Sequence, residues 1–541
     1  MAKTKNDGSS EYDYVVIGAG SAGCVVAHRL AQGGRYTVLL LEAGPKDRNP
    51  WIHVPLGYGK LFKNAALNWM YQTEPEIELG QRRIFQPRGK VLGGSSSING
   101  LVYIRGQRED YDRWRQLGNI GWGYEDVLPY FRKAEDQERG GDEFHGVNGP
   151  LSVSNPRQKH TLCDAFIAAA AETGIRSNSD FNGAVQEGAG YFQMTARNGR
   201  RASTAQAYLR HGGSAGLIDV RTSAFVTRIL FEGRRAVGVE YQAKGTGVRA
   251  KARREVILSA GAFNSPHLLQ LSGVGPATTL AYHGIPVVLD APGVGQDLQD
   301  HFQVRTVSRC TKPITINDAL NGPLRLAYAA LEYLAFRKGP LTIAAGYAGA
   351  FIRTAPHLQS PDIQVHFIPF STDKMGDTLH PFPGFTASVC QLRPESRGSV
   401  TLKSANPADH PEIRLNYLST ETDRRANVEG LKILRQILSA PSLAHFVDSE
   451  IEPGAMMETD DSLLSFCRQS GSTIYHPTSS CRMGSDTRSV VDSRLRLRNI
   501  EGLRIVDASV MPDLVSGNTN AAVIMIAEKA SDMILQDAIA A

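Results

Sequence analysis

Residues 13–42 read DYVVIGAGSAGCVVAHRLAQGGRYTVLLLE, and this stretch decides the fold. Residues 14–17 are aromatic or β-branched, the composition of a strand. Gly18, Gly20 and Gly23 follow in G-x-G-x-x-G spacing. Residues 24–32 then place Val26, Ala27 and Leu30 at helical spacing and stop at Gly33 and Gly34. A second apolar run, 37–41, ends in the acid Glu42, 19 residues past Gly23. Strand, glycine turn, helix, strand and acid in this order form a dinucleotide-binding unit. Gly18 permits the tight turn, Gly20 lets backbone approach a pyrophosphate, and Gly23 lets the helix pack on the strand. The unpaired N–H groups at the helix start attract phosphate. Glu42 is placed to accept hydrogen bonds from a ribose. The motif alone does not choose between NAD and FAD, although its place at the start of a long chain leans to FAD.

The composition sets the frame around this unit. Of 541 residues, 42% are hydrophobic and 21% charged, the balance of a globular protein, which excludes a collagen, a coiled coil and a disordered tail. The 53 glycines exceed average usage by about fifteen, while the 27 prolines do not stand out. A surplus of glycine alone points to backbone that passes close to something or turns sharply. Lys and Arg number 59 against 54 Asp and Glu, a net charge of +5. Spread over so large a surface, with arginine pairs scattered along the chain, this charge argues against a nucleic-acid partner. The six cysteines lie far apart with no C-x-x-C pair, so they read as reduced thiols, with neither a disulfide framework nor a metal site. Residues 1–11 lack the apolar core of a signal peptide. No apolar run approaches the ~18–20 residues of a membrane span. The protein is therefore expected to be cytoplasmic, or at most peripheral to a membrane.

Two further glycine segments follow. Residues 86–106 read QPRGKVLGGSSSINGLVYIRG, a loop whose glycines alternate with small hydroxyl residues and can wrap a ligand with backbone N–H groups. Residues 256–275 read VILSAGAFNSPHLLQLSGVG, a strand, a turn and a short helix expected to begin near Ser265 and Pro266 and to end at Gly273.

These three motifs, in this order, resemble the glucose–methanol–choline (GMC) oxidoreductase family, and the second and third look like its two signature sequences. Further matches are VGQDLQDH at 294–301, LRPESRGSVTL at 392–402, YHP at 475–477 and VDASVMP at 506–512. The likeness runs from about residue 12 to 536 and is nearest to the choline-dehydrogenase-like and alcohol-dehydrogenase branch. It implies an α/β fold, in which a Rossmann-like FAD-binding domain is interleaved with an α+β substrate domain built on an antiparallel sheet. The expected division is 10–160, 196–310 and 470–541 for FAD, and 161–195 and 311–469 for the substrate. Strand-like runs at 363–370, 385–393 and 399–403, separated by proline-rich turns, agree with the second part.

The resemblance also implies a site. Its cofactor-binding residues here are Gly18, Gly20, Ser21, Ala22, Gly23, Glu42, Ala43, Arg88, Gly93, Gly94, Ser95, Asn99, Gly100, Val102, Val226, Asp507, Ala508, Asn518 and Thr519. Some relatives bind FAD covalently through a histidine beside the asparagine of the glycine loop. Here that place holds Ile98, next to Asn99, so FAD is expected to be non-covalent. Oxidation of an alcohol needs a base for the hydroxyl proton, and histidine is the usual choice. His476 matches the catalytic histidine of the family. Asn518, just before an apolar-periodic segment at 521–538, matches the second catalytic position, where it would hydrogen-bond the substrate oxygen; Asn520 and Thr519 are expected to cap that helix or touch the flavin. Tyr475, Phe351 and His366 are candidates for the substrate pocket. His301 is expected to support the flavin domain, and His267 and His53 are weaker candidates.

The expected activity is FAD-dependent oxidation of a primary alcohol to an aldehyde. His476 takes the proton, hydride goes to flavin N5, and a quinone, a dye-like acceptor or O₂ takes the electrons. An O₂-using alcohol oxidase and a hydroxynitrile-lyase-type enzyme are the alternatives. The identity of the alcohol is not legible at this stage.

Overall fold

The computed structural model of the chain describes residues 10–210 and 216–540; the polar start of the chain, 1–9, lies outside them. Two seven-stranded sheets organise it. In the first, the strands run Ile218–Thr222, Val38–Glu42, Ser10–Ile17, Thr246–Leu258, Arg235–Ala243 and Ala224–Glu232, with Leu503–Ile505 also paired to Thr246–Leu258. Ser10–Ile17 is parallel to both of its neighbours. Its last four residues and residues 38–41 are all buried, as the inner strands of a parallel sheet must be when both faces are covered. That is why those runs are continuously apolar rather than alternating.

The helix Ser21–Gln32 covers one face of this sheet and packs on the terminal helix Asn520–Ala540. The terminal helix begins one residue before the expected segment and is buried on every side from Ala521 to Ser531. It therefore cannot be an ordinary amphipathic surface helix. Its buried acid Glu528 is matched by a two-pronged pair with Arg29 (2.7 and 2.8 Å) and by the Tyr208 hydroxyl at 2.8 Å.

The helix expected to start at Pro266 instead spans Gly261–Leu271, with Pro266 inside it. Proline cannot donate to the carbonyl four residues back. The Ser480 hydroxyl donates to that Ala262 carbonyl instead, at 2.6 Å. A side chain over two hundred residues away thus allows the helix to begin early.

The second sheet is antiparallel, ordered Val447–Glu452, Phe302–Cys310, Gly384–Gln391, Ile363–Ile368, Ala348–Ile352 and Gly188–Tyr191. Helices Thr161–Glu172 and Glu421–Ser439 cover one side of it. The expected boundaries at 310 and 470 need correction. Phe302–Cys310 and Ser472–Thr473 both belong to this second sheet, because the sheet takes its neighbours by hydrogen-bond register and not by chain order. The uncovered face of this sheet looks across a cavity at the glycine turns of the first. Among the described residues no helix is long and apolar enough to cross a membrane.

Candidate active site

The cavity between the sheets holds about 2080 Å³ of empty space, mouth included.

One end is built from the glycine turns. Gly18 has φ +92° and faces the Ser259 carbonyl, which a Cβ would meet at 2.5 Å. Gly94 has φ +52°, and a Cβ there would lie 2.6 Å from the Gly20 Cα. The two glycine loops are thus stacked backbone on backbone, leaving a bare peptide surface that a phosphate-bearing group can approach closely. Glu42 is buried beside it and accepts from the Ala19 N–H (3.0 Å) and the Gly44 N–H (2.8 Å); burial pushes its carboxyl up to about 7. Ser21, Ala22, Ala43, Arg88, Ser95, Asn99, Gly100, Val102, Val226, Asp507, Ala508 and Thr519 line the same cavity. Gly23 and Gly93, expected among the cofactor residues, do not line it. Gly23 lies against the Gly18 carbonyl, and Gly93 forms the turn whose N–H donates to the Ala19 carbonyl at 2.7 Å. Both shape the cradle from behind. Asp507 accepts from the Gly261 N–H at 2.8 Å and the Ser265 hydroxyl at 2.6 Å, tying the C-terminal motif to the start of the proline-containing helix.

The other end brings together His366, Asn518 and the neighbours Tyr475 and His476, from three distant stretches of the chain. His476 sits on a loop held by the buried Asp300, which accepts from the His476 N–H (2.8 Å), Thr473 (2.6 Å) and Tyr417 (2.5 Å). Its ring Nδ1 lies 2.9 Å from His301 Nδ1, and His301 Nε2 lies 3.0 Å from the Leu392 carbonyl. A carbonyl only accepts, so His301 carries its proton on Nε2. Its Nδ1 must then accept, so His476 carries its proton on Nδ1. This leaves a lone pair on His476 Nε2, which faces the Asn518 side-chain amide at 3.3 Å. Gln364 donates to Asn518 Oδ1 at 3.2 Å, which turns the NH₂ of Asn518 toward His476. Burial and the neighbouring His301, His366 and Arg88 push His476 well below the ordinary histidine value, so it stays neutral. Burial also pushes His301 and His366 down to about 4.

Phe351 does not line the cavity. It packs with Phe181 (5.1 Å between ring centres) and Phe192 in an apolar cluster, and Phe192 in turn lies against His366. Its strand is one further from the cavity than His366, so its ring backs the site without entering it. His301, expected to support the flavin domain, sits directly behind His476 and shares a hydrogen bond with it. Gln364, Gln303, Arg305 and Ser388 were not singled out in the sequence. Their signal was the alternation along strands 302–310, 363–368 and 384–391, which puts every second residue on the cavity face.

A Rossmann-type cradle facing a neutral histidine and an amide donor defines a flavin-dependent oxidoreductase. The family model described as GMC oxidoreductase matches residues 12–303 and 394–527. The alcohol dehydrogenase [acceptor] of Pseudomonas putida is 44% identical over 97% of this chain and 96% of its own. The mitochondrial choline dehydrogenase of Homo sapiens is 45% identical over 99% of this chain and 91% of its own. A structure of Aspergillus oryzae RIB40 formate oxidase, concerned with modification of its FAD, superposes with a TM-score of 0.91 at 27% identity, covering 98% of each chain. The chain belongs to the GMC oxidoreductase family. It is an FAD-dependent oxidoreductase acting on CH–OH donors.

Proposed function

We propose that the enzyme oxidises a primary alcohol to an aldehyde, with His476 as the base and Asn518 as the group that holds the substrate oxygen. The observation that carries this reading is the proton chain from the Leu392 carbonyl through His301, which leaves a lone pair on His476 Nε2 in the cavity. A hydroxyl group within reach of both side chains gives its proton to Nε2. Asn518 Nδ2 donates to the oxygen as negative charge builds there, in a water-poor site where such a bond is strongest. The Gln364 contact keeps the amide from flipping. FAD, when bound, would supply the hydride-accepting chemistry, with a quinone or a dye-like molecule as the first reading for the external electron acceptor and O₂ as the alternative. The cradle residues named above hold the cofactor without a covalent bond, since Ile98, buried beside Asn99, has no atom that can form one. The six cysteines are buried and free, which supports a reducing, cytoplasmic setting.

The decisive experiment is anaerobic stopped-flow reduction by alcohols. His476→Ala should retain FAD and slow reduction by at least the ~100-fold of a lost general base; an unchanged rate refutes the role. Peroxide formation in air, compared with dye reduction under argon, separates oxidase from dehydrogenase. Acid precipitation should release yellow flavin into the supernatant, and flavin left in the pellet would show a covalent bond.

A further inference from the structure

The substrate end of the cavity is charged on one side only. Along Phe302–Cys310, Gln303 and Arg305 point to the same face because side chains alternate. Arg305 is in register with Ser388, and Ser388 with His366; all three line the cavity. Arg305 and His366 are thus the ends of one row across three strands, two strand spacings or about 10 Å apart at Cα. His366 stands at the reacting end, close enough to bear on His476. Arg305 stands at the far end of the row, and the apolar Phe62, Ile368 and Met375 line the same cavity, as does Tyr475.

Arg305 is half-buried, and desolvation lowers its pKa. Among the described residues its hydrogen bonds go to main-chain carbonyls, Thr372 at 3.2 Å and Asp373 at 3.5 Å. The Asp373 carboxylate is taken by His380 at 2.8 Å. Tyr475, Glu452, Tyr58 and Asp373 also act on Arg305 electrostatically, against the effect of burial. The carboxylates that line the cavity are Glu42 and Asp507, both held by backbone N–H groups at the cofactor end. The substrate end therefore offers a guanidinium with donors to spare and no carboxylate to receive a cation.

We propose that Arg305 determines specificity by pairing with a carboxylate on the substrate, so that the preferred substrates are primary alcohols bearing a carboxylate at the far end of an apolar spacer. This rests on the alcohol-oxidation reading above. A guanidinium recognises a carboxylate through two parallel N–H···O bonds. Desolvating it without a partner is costly, so a neutral alcohol leaves that cost unrelieved. A quaternary ammonium alcohol adds like-charge repulsion and finds no carboxylate partner.

The test is anaerobic flavin reduction by ω-hydroxy acids, n-alkanols of matched length, and choline. In the unaltered enzyme the best hydroxy acid should exceed its matched alkanol in kcat/KM by at least about tenfold, a difference of ~1.4 kcal/mol, and choline should be the poorest. Arg305→Met should bring the ratio of hydroxy acid to alkanol close to one, chiefly through KM, and Arg305→Lys should restore part of it. A ratio of one or below in the unaltered enzyme, a preference for choline, or a ratio unmoved by Arg305→Met overturns the proposal and leaves alcohol oxidation standing. If Arg305→Met fails to bind FAD, the unaltered enzyme's ratios alone decide. Failure of every alcohol to reduce the flavin overturns the oxidation reading, and this proposal with it.

Discussion

His476 owes its tautomer to a carbonyl it never touches. The Leu392 carbonyl orders the proton on His301, and His301 orders the proton on His476. Two predictions follow at this scale. The first concerns pH. His476 is needed unprotonated, and its surroundings hold it well below the ordinary value of 6.5. Flavin reduction should therefore be level from neutral to alkaline pH and fall only as the pH drops below the ordinary histidine range. An acid limb with a midpoint at or above 6.5 in stopped-flow reduction would contradict this. The second concerns His301→Phe, which removes the acceptor for His476 Nδ1–H. Reduction should slow by at least about tenfold, within the ~10⁴ that a wrong histidine tautomer costs in a serine protease triad. His301 also depresses His476, so the acid limb of this variant should move to higher pH. A merely structural role for His301 would slow the enzyme without moving that limb. Of these residues, His476 and Asn518 stood out by their motifs. His301 was visible as a residue but not in its role, because nothing local links it to a loop 175 residues away.

At the scale of elements, the first strand–helix–strand was legible almost to the residue, because its glycines and apolar periods act over neighbours in the chain. The proline-containing helix was misplaced for the opposite reason. Pro266 forbids one hydrogen bond, and whether a helix tolerates the loss depends on who takes the orphaned carbonyl. Ser480 does. Ser480→Ala should leave the Ala262 carbonyl buried without that donor and destabilise the protein by about 1–3 kcal/mol. Chemical denaturation of the FAD-bound enzyme measures this as a lower midpoint at unchanged slope; an unchanged midpoint would mean that another donor takes over. The terminal helix is a related case. Its apolar spacing marked a helix, but only the packing against Ser21–Gln32 shows that residues as polar as Glu528 are buried in it.

At the scale of the molecule, the cavity is walled by both sheets, so a cofactor bound there would bridge parts that neither sheet alone holds together. A ligand that binds the folded state stabilises it by mass action, about 2.7 kcal/mol at a hundred times its Kd. Removing FAD should lower the thermal midpoint, and added FAD should restore it in a concentration-dependent way. An identical midpoint for the two forms, read by circular dichroism, would show that the cradle forms without regard to its occupant.

The glycine surplus and the motif order were readable along the chain, because each depends on residues within a few positions of one another or on a spacing that backbone geometry imposes, and the resemblance they carry singled out His476 and Asn518. The fold class and the cofactor follow once these motifs are read together as a resemblance to the GMC family. The tertiary structure decided what depends on register between distant strands: that 302–310 crosses into the second sheet, that Phe351 backs the site instead of lining it, that His301 sets the proton on His476, and that Arg305 shares a row with Ser388 and His366. Pairing in a sheet is a choice among many partners separated by long loops. The energy that makes that choice comes from burying all of them together, which no single segment carries.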